Sequence, residues 1–182
     1  MITEISSVEA LFDLLHSATD DDDESVSVLE HSLQCARLLR RQAIDDEELQ
    51  VAGLVHDLGT VVEPDRPTTH ATTGAAAVRP LLGAHVAALV AAHDVAKRYL
   101  VTVDTGYAAR LSARSIETLE LQGGPLIGAA RLQFEADPWF AQCLALRRAD
   151  DAAKIPGFAA GTTDDWRPIV ERVARRLRHS AT

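Results

Sequence analysis

The chain has 182 residues, 47% of them hydrophobic, 25% charged and only 4% aromatic. That composition excludes a disordered chain, a fibre and a disulfide scaffold, and it leaves Leu, Val and Ala to build the core, which favours helices over sheets. The formal charge of −9 is concentrated in the first 50 residues and argues against nucleic acid or an anionic membrane as partner.

Ile5, Val8, Leu11, Phe12 and Leu15 recur at helical spacing and predict a first amphipathic helix over 6–17. Five acids, Asp20 to Glu24, read as a solvated loop leading into a helix N-terminus. A second helix is predicted from Val26 to Arg41, with Leu29, Leu33 and Ala36 inward, and a third from Asp45 to Leu58, stopped by Gly59. Pro64 and Pro67 predict a loop over 60–69. A short helix follows from His70 to Arg79. Pro80 is expected to end it and to open the next, over 81–100.

Val101 to Leu111 reads as irregular. Ser112 is placed to cap a helix over 113–121 that Gly123 and Gly124 terminate. Pro125 and Pro138 bracket another helix, 139–154 forms the next, and 165–178 the last, with Val170, Val173 and Leu177 inward. No period-two pattern survives more than a few residues. The expectation is an all-α bundle of roughly eight helices in one domain, 1–182, with the first 20 residues packed on it and a closing helix and tail over 165–182.

Cys35 and Cys143 form no CxxC pair and read as reduced, buried thiols of a cytoplasmic protein. The N-terminus shows no leader pattern. The longest weakly polar run, Leu81 to Ala92, is interrupted by His85 and falls short of the ~20 residues that cross a bilayer, so no membrane segment is expected.

The chemistry centres on the pair His56–Asp57, which follows an apolar helical run. A carboxylate there is costly to bury without a compensating charge, and a divalent cation compensates well. The aspartate can bridge two metals while the histidine binds one of them. His31 precedes this pair and Asp150 follows far downstream, an H…HD…D order that resembles the HD-domain superfamily of helical metalloproteins.

His70 and His93 match the two extra histidines of its two-metal members. The resemblance then implies that His31, His56 and Asp150 hold one metal, that His70 and His93 hold the other, and that Asp57 bridges them. Such donors suit Fe, Mn, Co or Zn.

Four segments sharpen the resemblance: 24–34 around His31, 93–100 (HDVAKRYL), 121–125 (LQGGP) and 146–154 (LRRADDAAK). They look like the mixed-valence di-iron HD oxygenases that cleave organophosphonates, relatives of myo-inositol oxygenase. That similarity implies two irons, Fe(II)/Fe(III), with dioxygen as co-substrate and oxidative cleavage of the C–P bond of a small 1-hydroxyphosphonate to release phosphate. By the same resemblance Lys97, Ser112, Gln122 and Lys154 fall at or near substrate-contacting positions, and Glu24 contacts substrate or closes the site beside the catalytic Asp57. The pattern departs at Asp21, Asp23 and Ala149, where the family has Tyr, Gly and an aromatic residue.

The residues support an anion site in their own right. Lys97 lies four positions after His93, and Lys154 four after Asp150, so each lysine shares a helix face with a proposed ligand. Two cations beside a metal pair call for an anion between them. Ser112, at a helix start, adds a hydroxyl and N-terminal amides. His16, His85 and His179 read as structural or surface residues, Asp94 and Asp151 as supporting or surface acids, and Tyr99, Tyr107 and Trp139 as core. Two other functions fit the same ligands: a metal-dependent phosphohydrolase acting on a phosphate ester or nucleotide, and a non-catalytic regulatory module that binds metal or anion.

Overall fold

A computed structural model describes residues 4–18 and 25–180. Among these residues there are nine α-helices, two 3-10 turns (Pro67–Thr69 and Ala108–Arg110) and no strand, in line with the all-α expectation. The α-helices are α1 (Val8–Ser17), α2 (Val28–Gln42), α3 (Glu47–Val55), α4 (Leu58–Val62), α5 (His70–Val103), α6 (Ala113–Leu121), α7 (Gly128–Glu135), α8 (Phe140–Ala152) and α9 (Thr163–Ser180).

Local chemistry sets the starts. Ser27 caps α2 and Glu30 returns a hydrogen bond to the Ser27 amide, a reciprocal capping box. Asp46 caps α3 by accepting from the Leu49 amide. Ser112 caps α6 by accepting from the Ser115 amide.

The structure corrects several boundaries. The third helix ends at Val55 rather than Leu58, because Asp57 (φ −98, ψ 5) leaves the helical path and turns the chain into α4. The expected loop over 60–69 is therefore partly helical at both ends. The predicted stop at Pro80 does not occur. The helix carries through and breaks at Gly83 (φ 88), a conformation that costs a glycine little, where the Leu177 side chain of α9 packs close. The second half of α5 runs on to Val103 instead of stopping at 100. The helix expected between Pro125 and Pro138 begins only at Gly128. Residues before it are held against α5 instead, through Leu126 N–H to Arg98 O and Arg98 Nε to Gly124 O.

α5 is the spine. α3, α4, α8 and α9 all pack on it, and α2 packs across α3 and α8. Leu11, Leu39, Leu54, Leu89, Val90, Leu146 and Trp166 meet in one continuous core. Cys35 and Cys143 are free thiols buried in it. α5 is long and apolar enough to cross a membrane by length and composition, but its apolar surface is largely spent on this core.

Candidate metal centre

Four elements supply the proposed ligands: His31 comes from α2, His56 and Asp57 from the turn joining α3 to α4, His70 and His93 from the start and second half of α5, and Asp150 from α8. His31, Cys35 and Leu39 recur every four residues on the buried face of α2, so the histidine points inward with the core. The turn carrying Asp57 is pressed against the start of α5. A Cβ on Gly59 would lie 1.9 Å from the His70 carbonyl oxygen and 2.9 Å from the Gly74 amide nitrogen, so only glycine permits this approach.

All six side chains converge. His31 Nε2 lies 3.2 Å from His56 Nε2 and 3.2 Å from Asp150 Oδ1. His70 Nε2 lies 3.0 Å from His93 Nε2. Asp57 stands between the two sets. Its Oδ2 is 3.4 Å from His31 and 3.3 Å from His56, while its Oδ1 is 3.6 Å from His70 and 3.8 Å from His93. The donors thus form two groups, each able to hold a metal ion: His31, His56 and Asp150 in one, His70, His93 and Asp57 in the other.

The hydrogen bonds behind the histidines test whether cations fit. Nδ1 of His31, His56 and His93 lies 2.9, 2.9 and 2.7 Å from the carbonyl oxygens of Ala153, Gly53 and Val90. A carbonyl only accepts, so each Nδ1 carries the proton and each neutral ring turns a lone pair on Nε2 toward the centre. Lone pairs facing one another at 3.2 Å in a buried site need a positive charge between them. The donor set therefore fits two imidazole- and carboxylate-binding divalent ions.

In the metal-free chain, protons take part of that role. Burial opposes charge on His31, yet its contacts with Asp150 and Asp57 outweigh it and raise its pKa to about 9. Burial dominates at His93, lowering it to about 4. Burial also works against ionised Asp57 and Asp150. The neighbouring histidines, and for Asp150 chiefly Arg147, hold both well below the usual carboxylate range.

The donors open onto a cavity of about 440 Å³, within the range of small-molecule sites. All six except His56, which is fully buried behind them, line it. Lys97 and Lys154 line it too. Lys97 is only 2% exposed. Its ammonium donates to Thr118 Oγ1 at 2.8 Å and lies 3.8 Å from Asp94 Oδ1. Burial lowers its pKa to about 8, with Asp94 favouring the charge. Lys154 Nζ donates to Ser112 Oγ at 3.3 Å, so Ser112 meets the cavity through the lysine rather than lining it.

Gln122 sits at the far end of α6, off the cavity, where its amide donates to Asp94 Oδ2 at 2.6 Å. Glu24, Asp21 and Asp23 lie outside the described residues. His85 is remote from the centre, bonded to Glu48 and Gln142 and stacked on Trp139.

Arg147 and Thr118 join the site without a role expected from the sequence, and Asp94, expected as a supporting or surface acid, stands in its wall. Arg147, 3% exposed, donates to Asp150 Oδ2 at 2.8 Å, to Asp151 and to the Tyr107 hydroxyl, leaving Asp150 Oδ1 for the histidines. Its spacing of three and four from two acids was the available signal. Asp94 is buried in the cavity wall, and Thr118 holds Lys97. Nothing in the local sequence marks Thr118, whose contact spans 21 residues.

Residues 28–137 match the HD domain family. The chain belongs to that family. The match stops short of Asp150, which the fold brings to the other ligands. This HD-domain chain is 33% identical over 174 residues to the hydroxymethylphosphonate dioxygenase of Gimesia maris, covering 90% of this chain and 86% of the relative. It is 32% identical over 160 residues to the glycine-betaine-forming [1-hydroxy-2-(trimethylamino)ethyl]phosphonate dioxygenase of Leisingera caerulea, covering 82% and 80%. It therefore falls in the organophosphonate-oxygenase branch of HD-domain enzymes.

Proposed function

We propose that this HD-domain oxygenase uses two iron ions and dioxygen to cleave the C–P bond of a small 1-hydroxyphosphonate and release phosphate. The observation that carries the reading is the buried ammonium of Lys97, set in the same cavity as both donor groups and held by Thr118. A buried cation beside a metal centre is costly unless an anion joins it, and a phosphonate dianion meets both charges.

Bound iron would supply the capacity to accept electrons from the substrate carbon and to engage dioxygen. His31, His56 and Asp150 would hold one ion, His70 and His93 the other, and Asp57 both. The chain's remaining work is to bind and orient. Lys97 and Lys154 neutralise the phosphonate, and Ser112 steadies Lys154. Arg147 keeps Asp150 ionised and fixed.

In the overall reaction the hydroxyl-bearing carbon is oxidised to a carboxylic acid. One oxygen atom ends on that carbon and one on phosphorus, so hydroxymethylphosphonate and dioxygen yield formate and phosphate with no other reductant. Iron-reconstituted protein given hydroxymethylphosphonate should release phosphate and consume dioxygen one for one. Phosphate release that continues without dioxygen, or from a simple phosphate ester alone, would mean a hydrolase.

A further inference from the structure

The ten residues between α8 and α9, 153–162, form no helix or strand, yet they include Lys154. A backbone without regular structure needs partners from elsewhere to stay in one place. Here α2 provides them. Gln34, 2% exposed and one turn from His31, donates its side-chain amide to Ile155 O at 2.9 Å and accepts from Ile155 N–H at 3.0 Å. The amide thus matches both polar groups of one residue's backbone, which no aliphatic side chain of that size can do. Just upstream, Ala153 O accepts from His31 Nδ1, and Lys154 O accepts from Ser25 Oγ at 3.3 Å. The carbonyls of three consecutive residues are therefore bonded to side chains at or just before α2, and Lys154 lies in the middle of the run.

We infer that Gln34 is a positioning residue whose two-point clamp on Ile155 sets Lys154 over the cavity. It touches neither metal donors nor cavity and acts through the lysine. The inference rests on the reading of Lys154 as part of the anion site. The leverage is geometric. Beyond Ile155 the chain turns at once through Pro156 and Gly157 (φ 72), so the Gln34 contact is the last fixed point after the lysine before the chain departs. Released there, Ala153 and Lys154 keep their bonds to His31 and Ser25, but the lysine's backbone is held from its N-terminal side only and its stem can swing.

A double-mutant cycle on metal-loaded protein, read as affinity for inorganic phosphate by calorimetry, tests this. Lys154→Ala should weaken binding about tenfold, the scale of one lost charged hydrogen bond. Gln34→Met, which keeps the volume and loses both bonds, should weaken it about fivefold while two metal equivalents remain. In the Lys154→Ala background Gln34→Met should add nothing. Gln34→Glu, which keeps the acceptor for Ile155 N–H, should recover part of the loss, and it serves the same comparison if Gln34→Met does not fold. An equal loss in both backgrounds, loss of metal, or unchanged affinity in the Gln34 variants would overturn the inference. Unchanged affinity in Lys154→Ala alone would instead overturn the anion reading of the cavity.

Discussion

His31 shows how one residue links the centre to pH. In the metal-free fold its pKa rises from 6.5 to about 9, so the proton it holds stabilises that fold fully below 6.5 and the benefit is lost as pH rises through 9. A metal must displace the same proton. Metal affinity should therefore tighten between pH 6.5 and 8.5, by about tenfold per unit for each proton released, with His56, buried but also raised by Asp57, giving up a second. Titration of the metal-free protein with Mn(II) at several pH values checks the sign, and an affinity that falls with pH would contradict it. His93, already neutral at pH 7 with its pKa near 4, adds nothing to that slope.

Lys97 makes a separable prediction at the same scale. Lys97→Met removes the charge and keeps most of the volume, so it should retain both metals and lose about tenfold or more in phosphate affinity. Loss of metal content in this variant would show that the lysine serves the centre and not an anion.

Among the helices, the contact that matters most is the approach of α4 to α5 at Gly59. It seats Asp57 and His70 together, and no larger residue fits. Gly59→Ala should cost about 1–3 kcal/mol of stability through overpacking and should lower occupancy of the His70 and His93 group first. Thermal unfolding with metal analysis checks both, and wild-type values for the two would refute the account of this contact.

The same region shows what the sequence could and could not reveal. Helices with clean stripes, such as α2, were legible from spacing, although its start was placed at Val26 and the Ser27–Glu30 capping box sets it at Val28. The turn at His56–Asp57 was not, because the stretch up to Leu58 reads as one helix stopped by Gly59, and the bend goes with the close approach to α5. Pro80 read as the natural stop, yet Gly83 supplies the positive φ and the room for Leu177. The six proposed ligands were legible as residue types in a characteristic order. The burial of Arg147 and the hold of Thr118 on Lys97 depend on contacts between helices and carry almost no local signature.

Taken as a whole, the molecule gathers proposed ligands separated by as much as 119 positions in sequence, from His31 to Asp150, around α5. The unfolded chain has no such site, so metal binding adds to folding stability. At a free metal concentration one hundred times the dissociation constant, the gain is about 2.7 kcal/mol. For a domain of this size that corresponds to roughly 5–10 °C in melting temperature. Chelation should lower the melting temperature by that amount, and an unchanged value would mean the donors are not joined by metal in the folded state.

The most direct test is the number of metal ions the chain holds. Iron-reconstituted protein, freed of loosely bound ions and measured by elemental analysis, should carry two equivalents per chain, and Asp57→Ala should carry clearly fewer while remaining helical. One equivalent or none in the wild type, or two retained in Asp57→Ala, would contradict a dinuclear centre bridged by Asp57.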